Sequence, residues 1–138
     1  MKFKGLNGRT YTVYVRDYKV VKARDGRGKR SSYHKRARGL LGRMYKGYTV
    51  LEEMKIQGAH TSTLFLDFFI PTLSIAVEVH GEQHYKFIPH FHRNRVGYRD
   101  SLKRDRLKRE WCELNELDLV TLKFSDDTKH WRKQLEER

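Results

Sequence analysis

Asp67, Glu78 and His80 combine the residue types and spacing best suited to chemistry in this chain. Ten residues separate the two acids, and one separates Glu78 from His80, inside the otherwise apolar stretch LDFFIPTLSIAVEVHGEQHYKF, residues 66–87. Ionisable groups set among Leu, Phe, Ile and Val are costly to bury unless something pairs with them. Alternation along a strand puts Ala76, Glu78 and His80 on one face and Ile75, Val77 and Val79 on the other. If the preceding stretch pairs back through a turn at Pro71, Asp67 comes beside Glu78 on a neighbouring strand, about 4.8 Å away. Two carboxylates that close repel, so either one is protonated or a cation lies between them. Mg²⁺ meets that need, because it takes oxygen ligands, uses one or two protein carboxylates and keeps waters for a substrate phosphate. Mn²⁺ is the expected substitute.

His80 could then position the attacking water, accept its proton, or assist the phosphate as a cation, since histidine ordinarily titrates near neutrality. Gly81 is expected to let the chain turn sharply, bringing Gln83 and His84 back over the strand end as further catalytic candidates. A structural alternative stays open: Asp67 and Glu78 could be edge-strand acids paired with the many arginines. A zinc site from His84, His90, His92 and Cys112 lacks the paired spacing of structural zinc ligands.

The elements that must carry these residues follow from periodicity. TYTVYVRDYKVVK, residues 10–22, alternates like a strand after the Asn7-Gly8 turn signal, so a small hairpin is expected there. ARDGRGKRSS, 23–32, reads as a basic linker, and Ser31 or Ser32 caps a helix through YHKRARGLLGRMYK with Leu40, Leu41 and Met44 as its apolar stripe. YTVLEEMKI, TSTLFLDFFI and SIAVEVH read as three strands, and IPHFHRNR as a loop. GYRDSLKRDRLKREWCELNE, 97–116, is an amphipathic helix with Leu107, Trp111 and Leu114 inward. LDLVTLKF is a fourth strand, and the closing DDTKHWRKQLEER a helix. The fold class is α/β, a mixed central sheet of about four strands flanked by helices, with a basic N-terminal arm over 1–30 and the main domain over 31–138.

The charge is equally uneven. Of the net +13, residues 1–47 carry all the excess, with fifteen basic residues against two acidic ones. A polyanion is the expected partner, and phosphate neutralisation makes nucleic acid the leading class. Arg27, Lys29, Arg30, Lys35, Arg36, Arg93, Arg95, Arg104 and Lys108 are the expected phosphate contacts. One cysteine rules out an internal disulfide framework, and without a leader or a long apolar run a soluble cytoplasmic location is expected, with no membrane partner.

The acid pair and its surroundings resemble the PD-(D/E)XK, or restriction-endonuclease-like, nuclease superfamily. LDFFIP followed by AVEVHGEQHY, RDRLKREW and LVTLKF is similar to its branch containing very-short-patch repair endonucleases and related phage or mobile-element nucleases, over about residues 31–125. The resemblance implies a restriction-endonuclease-like core, Asp67 and Glu78 as metal ligands, and His80 where the superfamily usually has Lys. Asp105, within RDRLK, is the residue expected to orient His80 or His84 from behind. The first helix lacks the acid that many relatives carry, with Glu52 or Glu53 the nearest substitutes. The implied activity is Mg²⁺-dependent DNA endonuclease: strand nicking in repair or homing, or branched-DNA cleavage, for which a homodimer is expected. The competing expectation is a nuclease-like nucleic-acid-binding protein that does not cut.

Overall fold

The computed structural model describes residues 1–21, 31–59 and 64–138. Its centre is a mixed sheet of five strands in sequential order: β3 (Lys19–Val20), β4 (Leu51–Ile56), β5 (Leu64–Ile70), β6 (Ile75–His80) and β7 (Asp118–Lys123). All neighbours are antiparallel except β6 and β7, which run parallel. A parallel pair needs a long crossover, and here it contains α2 (Pro89–His92) and α3 (Arg95–Leu114). A separate hairpin, β1 (Lys2–Lys4) with β2 (Thr10–Thr12), precedes the sheet.

Each face of the sheet has its own core. On one side α1 (Ser32–Met44) and α4 (Thr128–Glu136) bring Leu40, Leu41, Trp131 and Leu135 onto Phe68, Val77, Val120 and Leu122. On the other, α3 and the hairpin bring Phe3, Leu107, Trp111 and Cys112 onto Met54, Leu66, Phe69 and Ala76. Helices α1, α3 and α4 begin where the sequence supplies a cap. Ser31 Oγ accepts from His34 N at 3.2 Å, Asn94 Oδ1 from Gly97 N at 2.9 Å, and Asp127 Oδ1 from His130 N at 2.8 Å. Each such cap satisfies an N–H that the helix itself leaves open, worth about 1 kcal/mol.

The expected hairpin is present, but it is more than an appendage. Phe3 is buried against Phe69 and Trp111, with ring centroids 5.7 and 5.1 Å away. The hairpin turn docks on the end of β4, where Asn7 N donates to Gly58 O at 3.1 Å. Gly58 has φ +74°, and a Cβ there would stand 2.9 Å from the Gly5 Cα, so only glycine allows the approach. Three further differences from the sequence expectations have local causes. Lys19–Val20 adds a fifth strand by pairing with Glu52 and Leu51. IPHFHRNR is not all loop, because Pro89 opens the short helix α2. Leu114 is exposed, and Cys112 takes the inward position instead. The linker reading of 23–32 falls almost entirely outside the described residues, as do Arg27, Lys29 and Arg30.

Strands β4 and β5 both change faces midway. Leu51 pairs with Phe69 and Met54 with Leu66 in the α3-side core, while between them Glu52 and Phe68 turn to α1. The register survives because both strands flip together, at Glu53 and Asp67. Glu53 has φ +56°, the left-handed region that non-glycine residues rarely enter. Such a residue costs roughly 1–3 kcal/mol and persists only where its surroundings impose it.

Candidate active site

The flip at Asp67 shapes the site. The β5–β6 ladder pairs Ile70 with Ile75, Phe69 with Ala76 and Phe68 with Val77. Beyond that point the carboxylates take over the backbone's role. Asp67 Oδ2 accepts from Val79 N at 2.8 Å, and Glu78 Oε2 accepts from Asp67 N at 3.0 Å. The two acids therefore converge between adjacent strands, as their spacing predicted, each anchored by one oxygen to the other's strand.

A third group joins them from the helix above. Lys108 Nζ lies 2.6 Å from Glu78 Oε1, with the Glu78 side chain 3% exposed. Lys108 thus sits against the Glu78 oxygen that the backbone leaves free. Burial, and then the Asp67 carboxylate, push the Glu78 carboxyl well above the ordinary carboxylate range, against the pull of Lys108. Burial works against the Lys108 charge, yet Glu78 and Asp67 hold that ammonium above the usual lysine range.

Beside it stands a second cluster. His84 Nδ1 meets Asp105 Oδ2 at 2.9 Å. Burial alone would raise Asp105, but the hydrogen bond and charge of His84 hold it down. An ionised Asp105 can only accept, so His84 donates from Nδ1, and in the neutral ring Nε2 is then the accepting atom. His80 stacks on His84 with centroids 4.1 Å apart and planes 7° from parallel, and its Nδ1 lies 3.2 Å from the Tyr85 hydroxyl. Burial, then the neighbouring His84, lower His80 to about 4. That direction runs against the titration near neutrality expected from the sequence.

Ligand atoms of His80, His84 and Asp105 lie within 4.8 Å of one another. They do not form a metal cage as arranged, because imidazole lone pairs lie in the ring planes and those of two parallel stacked rings do not meet. The alternative zinc set is not assembled either. Cys112 is buried in the α3-side core with its thiol pushed up to about 12 by burial, then Glu78, and His92 Nδ1 accepts from Ile88 N at 3.0 Å. Gly81 has φ −80° and ψ 179°, open to any residue, so the turn after β6 does not depend on glycine's freedom. Glu52, a suggested stand-in for the missing helix acid, turns away. It meets His34 Nε2 at 2.7 Å and Arg38 Nε at 2.9 Å on the α1 side.

Two grooves flank the His84–Asp105 pair. The larger, about 550 Å³, is walled by His80, Tyr85, Leu102, Arg99, Lys103, Arg106 and Arg109, with Asp100 as its other acid. The smaller, about 280 Å³, is lined by Gln83, Phe91, His92, Ser101, Arg104 and Lys108. The expected phosphate contacts are thus divided. Arg104 lines a groove and donates to Ser101 Oγ at 3.1 Å, whereas Lys108 belongs to the acids themselves. Arg93 is exposed at the end of α2, and the Arg95 guanidinium sits 5.1 Å from the Phe87 ring centroid. Lys35 and Arg36 lie on α1 and line neither groove. Arg36 packs 3.7 Å from the Trp131 ring centroid and donates to Asp126 O at 2.6 Å. Sequence reasoning missed Tyr85 and Phe91 as groove residues, and took Lys108 for a phosphate contact where it pairs with Glu78. Lys108 had a signal: it falls between Leu107 and Trp111 on the buried stripe of α3.

No family model matches the chain, and no solved structure does. Both relatives found are iridovirus proteins. Over 62 residues, 45% of this chain and 32% of the relative, it is 44% identical to Uncharacterized protein 307L of Invertebrate iridescent virus 6. Over 69 residues, 47% of this chain and 36% of the relative, it is 41% identical to Uncharacterized protein 033L of Invertebrate iridescent virus 3. The matched part spans about a third of those proteins' length. Among the described residues no helix is long and apolar enough to cross a membrane.

Proposed function

We propose that the protein is a metal-dependent DNA endonuclease with a restriction-endonuclease-like active site. The observation that carries this reading is the convergence of Asp67 and Glu78 in the interrupted β5–β6 ladder, next to Lys108 and two basic grooves. The ammonium looked for at position 80 is supplied to Glu78 from the helix instead.

The residues fit a hard divalent cation. Both acids offer oxygen, and each has one oxygen not taken by a backbone N–H; that of Glu78 meets Lys108, which a cation there would displace. Asp67 and Glu78 would hold Mg²⁺, which when bound would polarise the scissile phosphate and acidify an attacking water. The other steps belong to the chain's own groups. His84 Nε2 accepts a proton from the water, while Asp105 fixes the tautomer and stabilises the imidazolium that forms. His80 packs against the His84 ring and keeps it in line. Arg99, Lys103 and Arg104 hold backbone phosphates on either side.

A second reading has its own support. Lys108 already pairs with Glu78 at 2.6 Å, and a protein that binds DNA without cutting it could use that ammonium in place of a metal. Purified protein incubated with supercoiled plasmid and Mg²⁺ or Mn²⁺ separates the two. The endonuclease reading expects nicked circles that vanish with chelator; the binding reading expects retarded plasmid that stays supercoiled.

A further inference from the structure

We infer that the strand acted on is unpaired where it crosses the site, with the bases flanking the scissile phosphate stacked on Tyr85 and Phe91; this rests on the nucleic-acid reading above. The two grooves share the His84–Asp105 pair, and each combines one aromatic ring with arginine. Tyr85 stands with Arg99, Lys103 and Arg106 in the larger, and Phe91 with Arg104 in the smaller. Phe91 is 58% and Tyr85 44% exposed. A single exposed apolar side chain needs no explanation. Two exposed rings, one in each of two grooves that share the His84–Asp105 pair, form a pattern.

That pattern matches how single strands are held, with cations tracking the backbone and aromatic rings stacking on bases. A paired duplex cannot use it, because its base faces are covered by their neighbours and become accessible only when a nucleotide leaves the stack. A strand leading from one groove to the other passes His84 and Asp105, which bound both.

Fluorescence anisotropy of the full chain tests this in chelator, where nothing is cut. The probes are a labelled oligodeoxythymidine of about twelve nucleotides, within the range of known single-strand sites, a duplex of equal length, and that duplex with a central unpaired bubble. Single strand and bubble should bind at least about tenfold tighter than the duplex. Tyr85→Ala and Phe91→Ala should each weaken single-strand binding about tenfold, the range expected for loss of one stacked base, and leave duplex binding unchanged. Tyr85→Phe and Phe91→Tyr should restore it, which separates lost stacking from misfolding. Equal affinity for duplex and bubble, or unchanged single-strand affinity without either ring, would overturn the inference. Failure of the nuclease reading would appear separately, as uncut plasmid in Mg²⁺ with the strand preference intact.

Discussion

Lys108 Nζ lies 2.6 Å from Glu78 Oε1, an ion pair whose side chains are 17% and 3% exposed, and it fastens α3 to the centre of the sheet. Removing one partner of a buried pair leaves the other charge uncompensated, at a typical cost of about 3–5 kcal/mol. Glu78→Gln and Lys108→Met, measured by urea denaturation, should each destabilise by about 3 kcal/mol. The double variant should lose clearly less than the two together. Additive losses would show that the pair is not coupled.

The His84–Asp105 bond makes a kinetic prediction. If Asp105 acts only through the His84 tautomer, Asp105→Ala and His84→Ala should each slow Mg²⁺-dependent nicking by about 10²–10⁴-fold, the usual contribution of general acid–base catalysis. The double variant should be no slower than the worse single. Losses that multiply would assign the residues to separate steps.

Glu52 makes a pH prediction on the opposite face. Burial resists its ionisation, but hydrogen bonds from His34 and Arg38 bring its carboxyl down to about 2. A carboxyl lowered by folding stabilises the fold while ionised. The benefit is full above the ordinary glutamate value of about 4.3 and is lost as pH falls through the folded value. The shift corresponds to on the order of 3 kcal/mol at neutral pH. Melting temperature should therefore drop steeply from about pH 5 to pH 2, and less steeply for Glu52→Gln. Parallel curves would remove Glu52 from the acid response.

Phe3 tests whether the N-terminal hairpin belongs to the core. Phe3→Ala empties a site bounded by Phe69 and Trp111 and should cost about 3–5 kcal/mol in denaturant unfolding. A change below about 0.5 kcal/mol, the ordinary range for surface substitutions, would return the hairpin to the status of a loose arm.

These residues also mark what the sequence discloses. The runs around Asp67 and Glu78 are legible as strands because period-two alternation is a local signal, and the acid convergence follows from a turn at Pro71. Ser31 and Asp127 likewise announce their helices through cap chemistry. What escapes is set by distant partners. Phe3 sits in a short KFK stretch whose neighbours Phe69 and Trp111 are far along the chain. The face change at Glu53 and Asp67 breaks the very alternation used to assign inward residues, so Glu52 points to α1 unannounced. On α3, six basic residues compete for the surface in RDSLKRDRLKR. Only the Leu107–Trp111 stripe distinguishes Lys108, whose inward turn converts an expected phosphate contact into part of the acid cluster.

The central claim is that Asp67 and Glu78 jointly hold a divalent cation used to cut DNA. Asp67→Asn tests it most directly, since the amide oxygen can still accept from Val79 N and the strand junction is preserved. With supercoiled plasmid and Mg²⁺, the parent should produce nicked circles, and Asp67→Asn should produce none while retaining the parent's DNA affinity and melting temperature. Nicking by Asp67→Asn at the parental rate would contradict the account.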